Sequence, residues 1–116
     1  MRDHVAAPIP APLSERATAT AARIRSGALQ PRDSEQVIKV VAEMTEVALT
    51  HFFVKPVKDF GGSITMRGIA EMGVSGSVKA VRFGLGKILP KLDGTQWTMV
   101  ADFLDQSLVE VAARRP

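Results

Sequence analysis

The chain has no cysteine and no tyrosine, a single tryptophan and five phenylalanines among 116 residues. Without cysteine, disulfides and thiolate metal sites are excluded, and the composition fits a reducing compartment, so a cytoplasmic location is expected. Aromatics make up 5% against 46% hydrophobic residues in all, leaving Val, Ala, Leu and Ile to fill the core. That palette belongs to helical bundles more than to β-sandwiches. No stretch reaches the ~18–20 uninterrupted apolar residues of a membrane span. The first residues lack the continuous apolar region of a secretory signal. The length allows one core, so one domain is expected.

Charge is unevenly placed. Residues 1–32 carry five basic and two acidic side chains, residues 33–54 one and four, residues 55–91 seven and two, and residues 92–116 two and four. A basic middle between acidic segments attracts a polyanion or another copy of the chain, unless the charges merely solvate outer helix faces. The same middle segment, from Gly61 to Pro90, holds seven of the nine glycines.

Hydrophobic periodicity predicts an all-α small bundle of three main helices and one short one over residues 33–113. It follows an extended or disordered Pro/Ala-rich tail over residues 1–32. Within the tail a short helix from Ser14 to Ser26 is expected to have little to bury, because Ile24 is its only large apolar residue. The first strong helix runs from about Ser34 to Phe53, capped by Asp33 or Ser34, with Gln36 placed for a capping box. Val37, Val40, Val41, Met44, Val47, Ala48 and Phe52 share one face, and Ile38, Ala42, Leu49 and Phe53 widen it. A helix apolar over more than half its circumference packs on two sides, either at the bundle centre or at an oligomer interface. Pro56 is expected to end it.

Gly61-Gly62 marks a turn, and Ser63 or Thr65 caps a short helix to about Met72 with Ile64, Ile69 and Met72 as its apolar residues. Gly73 to Gly76 are expected to break it. A helix from Ser77 to Leu89 then places Val78, Val81, Leu85, Ile88 and Leu89 on one face. Lys79, Arg82, Lys87 and the following Lys91 lie on the other, around Phe83. Gly76, Ala80 and Gly84 form a ridge of small residues beside it. The last helix, Thr95 to Ala113, is capped by Asp93 or Thr95 and buries Trp97, Val100, Ala101, Leu104, Leu108 and Val111. Arg114 and Arg115 sit at its C-terminal end, where positive charge is favoured.

The run Thr65-Met-Arg-Gly-Ile69-Ala70-Glu-Met-Gly73-Val74-Ser75-Gly-Ser77-Val78-Lys79-Ala-Val81-Arg82 resembles the helix-turn-helix of bacterial transcription regulators. The resemblance implies a first helix with an Ile-Ala pair, a Gly-Val-Ser turn and a second helix capped by Ser75. Lys79 and Arg82 would then reach phosphates or bases. Ala70 and Gly73 stand three apart where that family has four, and the step from Gly73 to Val78 is one residue shorter.

No catalytic constellation can be built from the spacing. Gly84-Leu85-Gly86-Lys87 lacks the pattern of a phosphate loop. Asp102 and Asp105 read as solvated charges on an outer face. His4 stands alone in the tail, and His51 reads as a structural imidazole near a helix C-terminus. No cofactor, metal site or enzymatic activity is expected. The expected function is a helical interaction module that self-associates, as a homo-oligomer, or binds a protein partner. Its contact residues are Arg67, Lys79, Arg82, Phe83, Lys87 and Lys91. The alternatives are a helix-turn-helix DNA-binding regulator using residues 65–82, and peripheral binding of the basic helix Ser77–Lys91 to an anionic membrane surface.

Overall fold

Three alternating prolines give way to helix at Ala11. In the computed structural model, which describes residues 6–108, Pro10 holds the extended N-cap conformation (φ −61°, ψ 143°) and helix α1 spans Ala11–Arg25. Pro12 lies in its first turn, where a missing N–H breaks no helical hydrogen bond. Contrary to the expectation of little to bury, α1 sends Leu13, Ala17, Thr20, Ala21 and Ile24 into the core. It lies along the last helix, α5 (Gly94–Ser107). Ala17 and Ala21 on one side and Ala101 on the other are fully buried, so small side chains let these backbones approach closely. The whole described chain is all-α, with no strand among the described residues.

Gly27, at φ +84°, closes α1 in a conformation that favours glycine. A 3₁₀ turn, Pro31–Asp33, leads into α2 (Glu35–Leu49). The expected side-chain caps on α2 are not made. Ser34 makes no capping bond, and the Asp33 carboxylate accepts instead from the Gln30 backbone N–H at 3.1 Å. Gln36 accepts from Arg23 of α1 at 2.6 Å. The wide apolar face of α2 packs on two sides as its width requires, against α1 and against the long helix α4.

Pro56 does not end this helix. Residues Thr50–Val54 form a π-helical turn in which the Lys55 N–H bonds back five residues to the Thr50 carbonyl. A proline ring collides with the carbonyl four residues earlier, here that of Phe52. The wider turn opens the backbone where the ring must fit. Helix α3 (Lys55–Asp59) continues the rod. His51 therefore sits inside a continuing helical run, not at a C-terminus, with its ring edge-on to Phe52 at 4.9 Å.

The turn after α3 needs its two glycines. Gly61 has φ +74°. A Cβ on Gly62 would stand 2.8 Å from the Val57 carbonyl oxygen. Ser63 then caps α4 (Ile64–Ile88), its Oγ accepting from the Met66 N–H at 3.1 Å. The break expected at Gly73–Gly76 is absent, and residues 64–88 are one helix. Glycine permits a turn without forcing one, and no proline lies in this stretch. The five glycines of α4 each cost about 1 kcal/mol relative to alanine, so packing on α2 must hold the helix. Gly68 has open space where a Cβ would go. Gly68→Ala is accordingly expected to raise stability by about 0.5–1 kcal/mol in urea denaturation.

A second 3₁₀ turn, Leu89–Lys91, leads to α5, whose N-terminus carries the expected Asp93 cap. The Asp93 carboxylate accepts from the Gln96 N–H at 2.8 Å, and the Gln96 side chain accepts from the Asp93 N–H at 3.0 Å. The helix ends at Ser107, before the expected Ala113. The expectations for His4, Val111, Arg114 and Arg115 fall outside the described residues.

Two apolar clusters result. The larger joins α1, α2, the Leu89 turn and α5, with Leu29, Val37, Trp97 and Leu104 among its most enclosed residues. Trp97 donates its indole N–H to the Leu29 carbonyl at 2.8 Å inside it. The smaller cluster, Val54, Ala70 and Val74, lies within the hairpin of α2–α3 and α4, flanked by Leu49, Val57 and Val78. Arg25 of α1 bridges both Asp102, at 2.8 Å, and Asp105 of α5. These carboxylates are therefore paired across two helices, not merely solvated. The Asp102 hydrogen bond is the largest cause raising the guanidinium's pKa above its ordinary value, and Asp105 adds to it.

Candidate functional site

Helix α4 has two faces with different fates. Ala70 and Val74 are buried and Val78, Val81 and Leu85 half-buried, all on the side that meets α2. At about 100° per residue, Thr65, Ile69, Met72, Gly76, Ala80, Phe83 and Lys87 fall on the opposite side, within roughly 80° of one another. All seven are exposed. Ile69, Met72 and Phe83 are 62%, 74% and 69% exposed. The helix is thus apolar on both sides and covered on one.

The patch widens towards the hairpin turn. Phe53 lies over Gly73, where a Cβ would stand 3.0 Å from the ring, so glycine there lets the phenyl settle against the helix. Phe53 and Met66 remain about half exposed beside the stripe, and Phe60 and Ile64 at the turn are more than four-fifths exposed. At on the order of 200 Å² per large side chain, Phe53, Met66, Ile69, Met72 and Phe83 leave roughly 600 Å² of apolar surface in water. Monomers rarely carry a contiguous patch above about 300–600 Å².

The six residues expected to make contacts are not all together. Lys79, Phe83 and Lys87 stand on the exposed side of α4, with the Lys87 ammonium 5.5 Å from the Phe83 ring centroid. Arg82 is turned towards α2 and pairs with Glu35 at 3.4 Å. Arg67 is half-buried on the inner side, and Lys91 lies beyond α4 in the 3₁₀ turn. The large residues of the stripe, Ile69 and Met72, read in sequence as the core of a short helix. Only with 64–88 taken as one helix do the two stripes separate.

Because residues 73–76 are helical, the turn that a helix-turn-helix requires is missing, and Ser75 lies mid-helix and caps nothing. Two clefts flank the hairpin. One, of about 520 Å³, lies between its arms and mixes Glu46 and Glu71 with Lys58 and Lys79. The other, of about 390 Å³, is apolar, bounded by Val37, Val41, Leu85 and the half-exposed side chains Met99 and Phe103 of α5. Among the described residues no group of His, Cys, Asp or Glu is placed to hold a metal ion. No described helix is long and apolar enough to cross a membrane. Comparison with protein-family models, curated proteins and solved structures finds no match.

Proposed function

We propose that this chain is a small helical interaction module that binds another protein surface through the solvent side of α4. The observation that carries the reading is the second stripe of that helix, in which three large apolar residues stand 62–74% exposed along one line. Leaving such side chains in water forgoes about 1.5–3 kcal/mol each relative to full burial. A covering surface recovers it. Lys79 and Lys87 border the stripe and Lys91 follows it, giving the polar surround typical of an interface. The role is binding and not catalysis.

The proposal predicts protection in cells. With no native cysteine, a Met72→Cys variant carries a single thiol on the stripe, and Lys39→Cys carries one on the exposed side of α2. In permeabilised cells at native expression level, maleimide labelling at position 72 is expected to be at least about tenfold slower than at position 39. Equal rates would remove α4 as a contact surface.

A further inference from the structure

We infer that the apex of the α3–α4 hairpin is a membrane-contact site, whose Phe60 and Ile64 enter the interface of an anionic bilayer. It is a second surface, separate from the α4 stripe. Phe60 closes the end of α3. At about 100° per residue, Ile64 lies between about 80° and 160° round α4 from every member of the stripe. At 83% and 82%, these two are the most exposed large apolar side chains among the described residues. Only Gly61, Gly62 and Ser63 stand between them, so nothing bulky shields either one at the turn. Neither belongs to an apolar cluster of the fold. The main contacts of α3 are with the π-helical turn and α4, so the apex stands clear of the larger cluster.

Charge is layered behind these side chains. From residue 55 to residue 67 the chain carries Lys55, Lys58 and Arg67 against the single carboxylate of Asp59. The Lys55 ammonium holds that carboxylate at 2.9 Å, while Lys58 and Arg67 make no ion pair among the described residues. No further carboxylate follows until Glu71. At about 1.5 Å per helical residue, Lys58 stands roughly 3 Å behind Phe60 and Arg67 roughly 4.5 Å behind Ile64 along the hairpin. An interfacial amphipathic element buries its apolar side about 5–10 Å into the boundary between headgroups and acyl chains. With Phe60 and Ile64 at that depth, the two cations come to the level of the lipid phosphates. The positive end of the α4 dipole points the same way, and its first turn holds no acidic residue.

This order from tip to base favours lipid over a protein groove. A convex tip needs a matching concavity on a protein partner, whereas the bilayer interface yields around it. A protein also sets no rule that cations follow the apolar groups at one depth, and an anionic headgroup layer does. Upright insertion keeps the α4 stripe out of the bilayer, since Phe83 stands roughly 28 Å from Ile64 along the helix. The protein contact proposed for that stripe is then free to form at the same time.

The test uses the full chain and vesicles of phosphatidylcholine with about 30% phosphatidylserine. Co-sedimentation is expected with these and is expected to be at least about fivefold weaker with phosphatidylcholine alone, the factor that one Lys or Arg contributes near an anionic surface. Phe60→Ser and Ile64→Ser are each expected to weaken binding at least about tenfold with helical circular dichroism retained. Lys58→Gln is expected to weaken it about fivefold. The cysteine-free sequence lets one environment-sensitive fluorophore be placed at Phe60→Cys or at Phe83→Cys. On vesicles its emission is expected to move to the blue at position 60 and to stay unchanged at position 83. A shift at 83 and not at 60 would lay α4 flat on the surface and overturn the apex as the contact. Binding left unchanged by Phe60→Ser and Ile64→Ser would reduce the contact to charge and overturn insertion. No co-sedimentation at low salt would overturn the membrane, and slow maleimide labelling of Phe60→Cys in permeabilised cells would then assign the apex to a protein pocket. Protection of Met72→Cys is read separately, so the α4 contact stands or falls on its own result.

Discussion

A chain beginning at Gln30 is expected not to fold into this bundle. The deletion removes Leu13, Ala17, Ala21, Ile24 and Leu29 from the core, all at 6% exposure or less. Truncating one large core residue costs about 2–5 kcal/mol, and three large ones go at once here. Removing α1 also uncovers Ala101 and Leu104 of α5 and strips the Trp97 indole of its acceptor. Total stability for a chain of this size is roughly 6–17 kcal/mol, so the loss consumes most or all of it. The Arg16–Glu43 pair and the Arg25 bridge go too, but all are exposed and add little. The expected result is loss of the cooperative urea transition followed by far-UV circular dichroism. A dispensable tail would behave otherwise, leaving the transition within about 0.5 kcal/mol of the full chain.

That contrast shows where the sequence is legible. Trp97, Leu104 and the valines of α2 declare themselves because they are large and recur at helical spacing. Helix α1 hides because its buried side, between Leu13 and Ile24 at its two ends, is made of Ala17, Thr20 and Ala21. Small residues carry little hydrophobic signal, and their value lies in how closely α5 can approach, which only the packed structure expresses. Pro56 misleads for a related reason. Its ring forbids an ordinary helical turn, but the π-helical turn at Thr50–Val54 supplies a register that accommodates it. The glycines of α4 mislead most. Placing a break at residues 73–76 cuts the stripe Ala70, Val74, Val78, Val81 and Leu85 in two. Ile69 and Met72, the larger side chains, then look like the buried side of a short helix. Continuity reverses the assignment: the β-branched and small residues line the α2 contact, and the larger ones face water. The basic residues around Phe83 were legible as an exposed group, since Lys79, Phe83 and Lys87 do share a face. Arg67 and Arg82 depart from it because their rotation about α4 depends on the same continuity.

Trp97→Ala is expected to cost about 3–5 kcal/mol, the range for deleting a buried aromatic ring, and to leave the fold marginal. Two separable terms contribute. One is the cavity left among Leu29, Val37, Ala101 and Leu104 in the larger cluster, where Trp97 is 3% exposed. The other is the Leu29 carbonyl, which accepts the indole N–H at 2.8 Å in a buried site. Trp97→Phe keeps much of the ring's bulk and removes the donor, so its cost is set chiefly by the unpaired carbonyl, about 1–3 kcal/mol. The order wild type, then Phe, then Ala is therefore expected in urea midpoints followed by circular dichroism, since either change removes the chain's only tryptophan fluorophore. Equal losses for the two variants would assign the whole effect to the hydrogen bond. A Phe variant as stable as wild type would mean that the Leu29 carbonyl finds water or another donor. In that case the packing of the ring alone ties α5 to the loop Gly27–Gln30.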